Sequence, residues 1–310
     1  MKKIPFPGTT PYPREIRIWS PEGAPRAIIL ISHGMAEHID RYHHLGMHLA
    51  ARGYQVAGYN HLGHGANAPI KGWFAEHDGW GQTVEDLHQV MTWLAQQTPG
   101  IPRVLLGHSM GSFLSREFIL RYPDSLDALV LCGTGWHPKA LCLSGLIPAK
   151  LLCGLGREKK ESKFLDTLAF SSNNKPFQEK NGLVYDWLSR DGAQVQKYAD
   201  SPLCGFVFTA GGFRDLFHGL LALTDLDRLS RIPKGMPIRM LSGSMDPVGG
   251  MGKGVKTVYK QYQDAGIEDV TMQLYDGARH ELFNEINKTE VMDELADWLD
   301  QLVASRERSI

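Results

Sequence analysis

"GHSMGS", residues 107–112, lies between the apolar run "RVLLGHS" (103–109) and "MGSFLSREFILRY" (110–122), which has helical spacing. The stretch fits the pattern G-x-S-x-G, in which a serine sits on a sharp turn between a strand and a helix. Glycine lacks a Cβ atom, so the glycines two residues before and after Ser109 permit such a turn. The stretch therefore predicts a strand–turn–helix unit. Ser109 is then either a nucleophile or an ordinary serine in a turn.

The same alternation of strand and helix extends in both directions from this unit. Apolar runs predict strands at 27–34, 55–60, 103–109, 128–133, 237–246 and 270–280. Helical spacing predicts helices at 42–53, 83–97, 110–122, 252–265 and 289–304, with Thr83 capping the second. Parallel strands need crossover connections, which are usually helical. The predicted fold class is therefore α/β, with a mostly parallel central sheet flanked by helices.

The alternation stops after Gly135 and resumes near Pro237. We interpret residues 136–235 as a helical cap inserted into one core domain, formed by 1–135 and 236–310. Its first part, "LCLSGLIPAKLLCGLG" (141–156), is apolar but too short and too interrupted to span a membrane. This part is either a buried cap helix or the rim of a lid that contacts lipid surfaces.

Composition excludes several classes of protein. The 310 residues contain 33 basic and 34 acidic side chains, so the net charge of −1 argues against a nucleic-acid binder. The N-terminal stretch lacks the apolar segment of a signal peptide, and the four cysteines have no metal-site spacing. We therefore expect a cytoplasmic protein with reduced thiols. Nothing in the sequence indicates its oligomeric state.

A nucleophilic serine needs a base and a group that orients the base. On this fold the partners follow the serine in the order acid, then histidine. "SGSMDPV" places Asp246 and "DGARHELFNE" places His280 at the carboxyl ends of two predicted strands, where the functional groups of open α/β sheets gather. Ser109, Asp246 and His280 are thus the predicted catalytic triad. Asp215 and Asp276 are the rivals for the role of the acid.

The oxyanion that forms during acyl transfer needs backbone N–H donors. Met110 begins the predicted helix, where amides lack partners within the helix. The second donor is expected from "SHGMAEH" (32–38), after the first long strand, and we choose the Met35 amide.

Two patterns suggest other chemistry without supporting it. "GGMGKG" (249–254) lacks the spacing and the Ser or Thr of a phosphate-binding loop. "HLGH" (61–64) and upstream histidines such as His33 have no convincing third ligand, so we interpret them as structural supports of the oxyanion loop. We expect neither a metal ion nor an organic cofactor. Arg41 either bridges the cap and the oxyanion loop or is an ordinary surface charge.

The whole chain resembles the α/β-hydrolase superfamily, and within it the bacterial type of the monoacylglycerol lipase and lysophospholipase-like branch. The matching segments are "HGMAEHIDRY" (33–42), "NHLGHG" (60–65), "GHSMGS" (107–112), "GSMDPV" (243–248) and "GARHELFNE" (277–285). In departure from the branch, Ala36 stands where a glycine is frequent and Asn60 where an aspartate is common.

The resemblance implies a serine hydrolase with a helical cap that cleaves esters of fatty acyl chains. By position, Ser109 would be the nucleophile, His280 the base and Asp246 its orienting group. The apolar residues of the cap, with Leu146 and Leu152 among them, are expected to bind the acyl chain. The partner would be a small lipid-like ester, and the cap could contact membranes transiently. A short-chain carboxylesterase, a serine peptidase and a non-catalytic binding protein remain the alternatives.

Overall fold

One sheet of eight strands, in the order β1-β2-β4-β3-β5-β6-β7-β8, organises the chain. The structure, a computed structural model, describes residues 1–6, 8, 12–177, 182 and 184–307. The strands are β1 (Lys2–Phe6), β2 (Arg14–Trp19), β3 (Ile28–Ser32), β4 (Gln55–Tyr59), β5 (Arg103–His108), β6 (Ala128–Cys132), β7 (Ile238–Gly243) and β8 (Val270–Tyr275). From β4 to β8 in the sheet order, neighbouring strands are parallel, which confirms the predicted fold class.

Helices cover both faces of the sheet. They are α1 (His43–Ala51), α2 (Gly79–Gln97), α3 (Met110–Arg121), α4 (Lys139–Gly154), α5 (Lys163–Phe170), α6 (Gly192–Asp200), α7 (Ala210–Ala222), α8 (Lys253–Asp264) and α9 (Lys288–Glu307). On β3, Ile28 and Leu30 join the core formed with α2, α3 and α8. Ile29 and Ile31 join the core formed with α1 and α9. A strand buried on both faces has no polar alternation, which explains its continuous apolar run.

The two N-terminal strands were not predicted, since the sequence analysis assigned no strand before residue 27. β1 pairs antiparallel with β2, and β2 pairs antiparallel with β4. β1 lies at the edge of the sheet, where lysine and proline are tolerated, and its residues are mostly exposed. Neither strand belongs to a strand–helix–strand unit, so the pattern that identified the others could not find them.

The predicted cap of α2 is wrong, because the residue that caps the helix is Asp78 and Thr83 lies more than one turn further along the chain. The helix begins at Gly79, and the Asp78 side chain accepts a hydrogen bond from the Gly81 amide at 3.1 Å. Thr83 lies inside the helix and donates to the Gly79 carbonyl at 2.7 Å. The first turn of α2 was not predicted because the glycines of "DGWGQ" have low helix propensity.

The segment predicted as a cap, residues 136–235, lies between β6 and β7. Its described part contains α4 to α7 and one isolated β-bridge between Glu161 and Thr209. Residues 178–181 and 183 lie outside the described residues. None of the described helices combines the length and the apolar content that crossing a bilayer requires.

Candidate active site

Ser109 occupies a strained turn between β5 and α3. Its backbone has φ 54° and ψ −122°, a conformation that residues with a side chain rarely adopt. A Cβ atom on Gly111 would lie 1.9 Å from the Ser32 carbonyl oxygen, and one on Gly107 would lie 2.4 Å from the Gly111 oxygen. Only glycine at both positions lets α3 start this close to β3. The turn holds the serine at the carboxyl edge of the sheet.

Asp246 and His280 form a buried pair. Nδ1 of His280 lies 2.9 Å from Oδ1 of Asp246, which also accepts the Val248 amide at 2.9 Å. Both residues are at most 2% exposed. A carboxylate at Nδ1 places the ring proton there and leaves Nε2 free to act as a base. The ring lies between those of Trp187 and His108, whose centroids are 5.0 and 4.8 Å away.

The serine and the histidine line the same cavity. Among the described residues no hydrogen bond joins Ser109 to His280, and such bonds commonly tighten only when substrate binds. The rival acids have other partners. Asp215 pairs with Arg214 at 2.9 Å, and Asp276 accepts a hydrogen bond from Ser244 at 3.3 Å.

The predicted oxyanion loop, residues 32–38, packs directly against the serine. A Cβ atom on Gly34 would lie 3.2 Å from Cβ of Ser109. Neither the Met35 nor the Met110 amide donates to another of the described residues. The two amides are therefore available to an oxygen atom of a ligand. Ala36 follows with φ 50°, a backbone conformation that favours glycine, which is the residue that the family resemblance led us to expect at this position.

Buried histidines support this loop from below. Nε2 of His64 accepts the Ala36 amide at 3.2 Å, while its Nδ1 lies 2.8 Å from the Leu62 carbonyl. Burial lowers the pKa of His64 to about 3 and that of His33 to about 4, so both rings are neutral at pH 7. In the described residues no cluster of three or more His, Cys, Asp or Glu side chains could hold a metal ion.

Arg41 bridges the oxyanion loop and the loop that carries His280. It donates to Glu37 at 2.6 Å and makes two hydrogen bonds of 2.6 Å to Glu281. Its guanidinium also lies 4.9 Å from the centre of the Tyr198 ring of the predicted cap. Burial opposes ionisation of Glu37, but Arg41 and His108 outweigh it and hold the pKa of Glu37 well below its usual range. The structure thus favours the bridging interpretation of Arg41.

The predicted cap also contacts the oxyanion loop through main-chain groups. The Ala36 carbonyl accepts the Tyr198 hydroxyl at 3.0 Å and the Gly205 amide at 2.9 Å. Sequence reasoning missed Glu37, Tyr198 and Glu281. For Glu37 the signal was its spacing of four residues from Arg41, which is typical of a helical ion pair.

A cavity of about 680 Å³ opens from Ser109 and His280 into the 136–235 segment. This volume is typical of sites for small molecules. One group of lining side chains is apolar: Phe113, Trp136, Leu141, Phe206, Leu216, Phe217, Leu220 and Val248. The other lining residues include a polar group: Asp166, Thr167, Ser171, Ser172, Asn173 and Tyr185.

The two cap leucines predicted to bind substrate do not line this cavity. Leu146 is 3% exposed and lies in the hydrophobic core, and Leu152 packs against the same core. The first turns of α4 contribute Leu141, Ser144 and Gly145 to the cavity wall instead. Because successive residues of a helix point in different directions, these three residues face the cavity and Leu146 faces the core. Apolar content alone does not predict which residues of α4 face the cavity.

Asp166 is the acidic residue of the polar group. It is partly buried, and burial raises the pKa of its carboxyl group. No described cation pairs with it, and none of the described residues that line the cavity is a lysine or an arginine. The polar part of the cavity therefore favours neutral or cationic groups over anionic ones.

Comparisons with known proteins agree with this geometry. The family model described as "Serine aminopeptidase, S33" (Hydrolase_4) matches residues 23–287. A monoacylglycerol lipase of Mycolicibacterium smegmatis is 29% identical over 294 residues, which cover 91% of this chain and 91% of that protein. The monoglyceride lipase of Homo sapiens is 27% identical, over 93% of this chain and 87% of that protein.

Solved structures extend the similarity to three dimensions. A highly thermostable carboxyl esterase from Bacillus coagulans, in complex with glycerol, has a TM-score of 0.89 at 25% identity, covering 97% of this chain and 98% of that chain. A soluble variant of the monoglyceride lipase from Saccharomyces cerevisiae shares the fold, with a TM-score of 0.76 at 19% identity over 97% of this chain and 94% of that chain. The chain therefore belongs to the serine aminopeptidase S33 family, and it is an enzyme of the α/β-hydrolase fold that is similar to the monoacylglycerol lipases.

Proposed function

We propose that this enzyme hydrolyses carboxylic esters of lipid-like alcohols through an acyl-enzyme intermediate on Ser109. The observation that carries the proposal is the buried Asp246–His280 pair, because its histidine lines the same cavity of about 680 Å³ as a serine on a strained turn. The names of the similar monoacylglycerol lipases support the same reaction class.

In the first half of the reaction Oγ of Ser109 attacks the ester carbonyl carbon while Nε2 of His280 takes its proton. The Met35 and Met110 amides bind the oxyanion of the tetrahedral intermediate, and Asp246 stabilises the imidazolium. The C–O bond of the ester then breaks, and His280 returns the proton to the leaving alcohol. In the second half water attacks the acyl-enzyme with His280 again as base, which releases the fatty acid and restores the serine.

Replacing Ser109 by alanine tests the nucleophile. We expect Ser109→Ala to lower kcat on p-nitrophenyl esters by roughly 10⁵-fold or more, because the acyl-enzyme cannot form. Labelling by a fluorophosphonate probe should be lost as well, which mass spectrometry of the labelled peptide can follow.

The matched control is Ser125→Ala, a change at a serine near the carboxyl end of α3 whose hydroxyl contacts His88. It should leave both hydrolysis and labelling unchanged. A folded Ser109→Ala enzyme that keeps more than a few per cent of the activity would exclude Ser109 as the nucleophile.

Replacing Asp246 by asparagine tests the acid. The amide cannot stabilise an imidazolium and favours the wrong tautomer of His280, so kcat should fall by about 10³- to 10⁴-fold with little change in KM. Steady-state kinetics of Asp276→Asn provide the control, because the Asp276 carboxylate is hydrogen-bonded to Ser244, whereas the carboxylate bonded to His280 is that of Asp246. If Asp276→Asn, rather than Asp246→Asn, abolished turnover, the assignment of the acid would have to be reversed.

Within this reaction class we propose monoacylglycerols rather than lysophospholipids as substrates. The apolar side of the cavity suits an acyl chain, and each buried methylene contributes about 0.8 kcal/mol. The hydroxyl-rich side, with Ser171, Ser172 and Asn173, suits a polyhydric alcohol. Asp166 would repel a phosphate group by on the order of 1–2 kcal/mol in a partly solvated site.

Head-group preference can be measured with monolauroylglycerol and lauroyl-lysophosphatidylglycerol, which share the acyl chain. We expect kcat/KM to favour the neutral ester by about tenfold or more, and Asp166→Asn to reduce this ratio because the repulsion is removed. Thr167→Val changes a neighbouring lining residue without changing charge and should leave the ratio unaltered.

Two results would contradict the head-group assignment. Preference for the lysophospholipid would place a phosphate beside Asp166. Faster cleavage of aminoacyl p-nitroanilides than of either lipid would instead indicate that Asp166 binds an α-ammonium group, as in a peptidase.

We further propose that the cap contacts lipid surfaces. Ile147 and Leu151 of α4 and Leu155, which caps its carboxyl end, are spaced four residues apart and are 56%, 65% and 76% exposed. Leu168 and Val184 both line the cavity and are exposed, so its opening has an apolar rim. Exposed apolar rows of this kind are typical of surfaces that insert into the lipid interface.

Vesicle binding tests this contact. The double variant Leu151→Ser, Leu155→Ser should reduce the bound fraction on phosphatidylcholine vesicles by about tenfold, because less apolar surface can be inserted. Met47→Ser, which changes an exposed apolar residue of α1, is the matched control for sedimentation. Equal binding of the double variant and the wild type would show that this face is not the contact.

A further inference from the structure

His108 lies between the two loops that flank Ser109. It is the last residue of β5 and is 3% exposed. Its Nδ1 lies 3.2 Å from Oε1 of Glu37, and its Nε2 lies 3.3 Å from the main-chain oxygen of His280. An ionised carboxylate and a carbonyl are both acceptors only, so two hydrogen bonds require a proton on each ring nitrogen.

Glu37 connects His108 to the rest of the oxyanion loop by hydrogen bonds. The Oε1 atom that faces His108 also accepts the Gly34 amide at 2.6 Å and the Tyr42 hydroxyl at 2.8 Å. Gly34 immediately precedes Met35, whose amide is a proposed oxyanion donor. The other ring nitrogen of His108, Nε2, contacts the main-chain carbonyl of His280 and so holds the backbone of the proposed base.

The charges around His108 also favour an imidazolium. Glu37 and Glu281 bring two negative charges to this buried cluster, and Arg41 supplies one positive charge. His33, which is neutral, the His280 ring, the Tyr42 hydroxyl and the Cys132 thiol on the neighbouring strand β6 are further titratable groups around His108. Burial lowers the pKa of His108, but its hydrogen bond to Glu37 and the nearby carboxylates outweigh burial and raise the pKa overall.

We propose that His108 is a positioning residue that, as an imidazolium, ties the oxyanion loop to the His280 loop on either side of Ser109. The inference rests on the proposed function, since it assigns His108 a part in ester hydrolysis. His108 would influence catalysis by positioning Gly34 and His280, and it need not contact the substrate.

The protonation state can be measured directly in the wild-type enzyme. In ¹⁵N-histidine-labelled protein at pH 7, the spectrum of His108→Gln identifies the His108 signals by their loss. Two ring N–H groups with imidazolium ¹⁵N shifts are expected for His108. A single ring N–H would overturn the proposal without any variant having to be active.

Kinetics test the positioning role. His108→Leu removes both donors and should lower kcat on p-nitrophenyl esters by about 10-fold to 100-fold, with KM nearly constant. In His108→Asn the amide nitrogen can replace Nδ1, so the bond to Glu37 is kept and part of the loss should be rescued. His88→Asn, a change at a histidine stacked on Tyr122 near the far end of α3, is the matched control.

The pH profile adds a readout that a purely structural role would not change. A group with a raised pKa keeps its interaction at lower pH and loses it as the pH rises through that pKa. Wild-type kcat/KM should therefore fall on the alkaline side as His108 loses its proton. The His108→Asn enzyme should lack this fall, because an amide does not titrate. An alkaline fall that is the same in both enzymes would contradict the proposal.

The outcomes separate this inference from the proposed function. If the fluorophosphonate probe does not label Ser109 in the wild type, the proposed function fails. If Ser109 is labelled but folded His108→Leu turns over within twofold of the wild type, only the role of His108 fails.

Discussion

The close approach of α3 to β3 at the Ser109 turn is the constraint on which the site depends. Gly111 packs its backbone against the Ser32 carbonyl, so Ser109, the proposed nucleophile, and the start of the proposed oxyanion loop have a fixed separation. β3 and β5 are neighbours in the sheet, with β6, β7 and β8 following in order. The loops after β3, β5, β7 and β8 therefore end at one edge. That edge brings Met35, Ser109, Asp246 and His280 together although up to 245 residues separate them in the chain.

The parts that sequence patterns predicted well are those with local causes. A parallel strand that is buried on both faces has a nearly continuous apolar run, and β3, β5 and β6 follow this rule. The turn at Ser109 needs glycine on both sides because of backbone contacts only a few residues away. Asp246 and His280 were found because each lies shortly after a strand, β7 and β8 respectively, at the carboxyl edge of the sheet. Their pairing at 2.9 Å then depends on the order of strands in the sheet.

The parts that were missed depend on contacts between distant segments. Glu37, His108 and Glu281 form one network, but 71 residues separate the first two and 240 separate Arg41 from Glu281. Apart from the four-residue spacing between Glu37 and Arg41, no local pattern marks these residues. The placement of Leu146 and Leu152 was missed for the same reason. Apolar content identified α4, but the direction of each side chain depends on how α4 packs against the core. No sequence motif surrounds Asp166, so its place in the cavity wall could be found only from the structure.

The hydrogen bonds from Tyr198 and Gly205 to the Ala36 carbonyl have a consequence for protein engineering. They hold Ala36 in a left-handed backbone conformation that is unfavourable by itself. Both donors belong to the segment 136–235, which is predicted to be the cap. The segment is thus not an interchangeable module. A chimaera that received its cap from another hydrolase would also have to receive a hydroxyl and an amide at these two points, or a glycine at position 36, to keep the geometry of the loop.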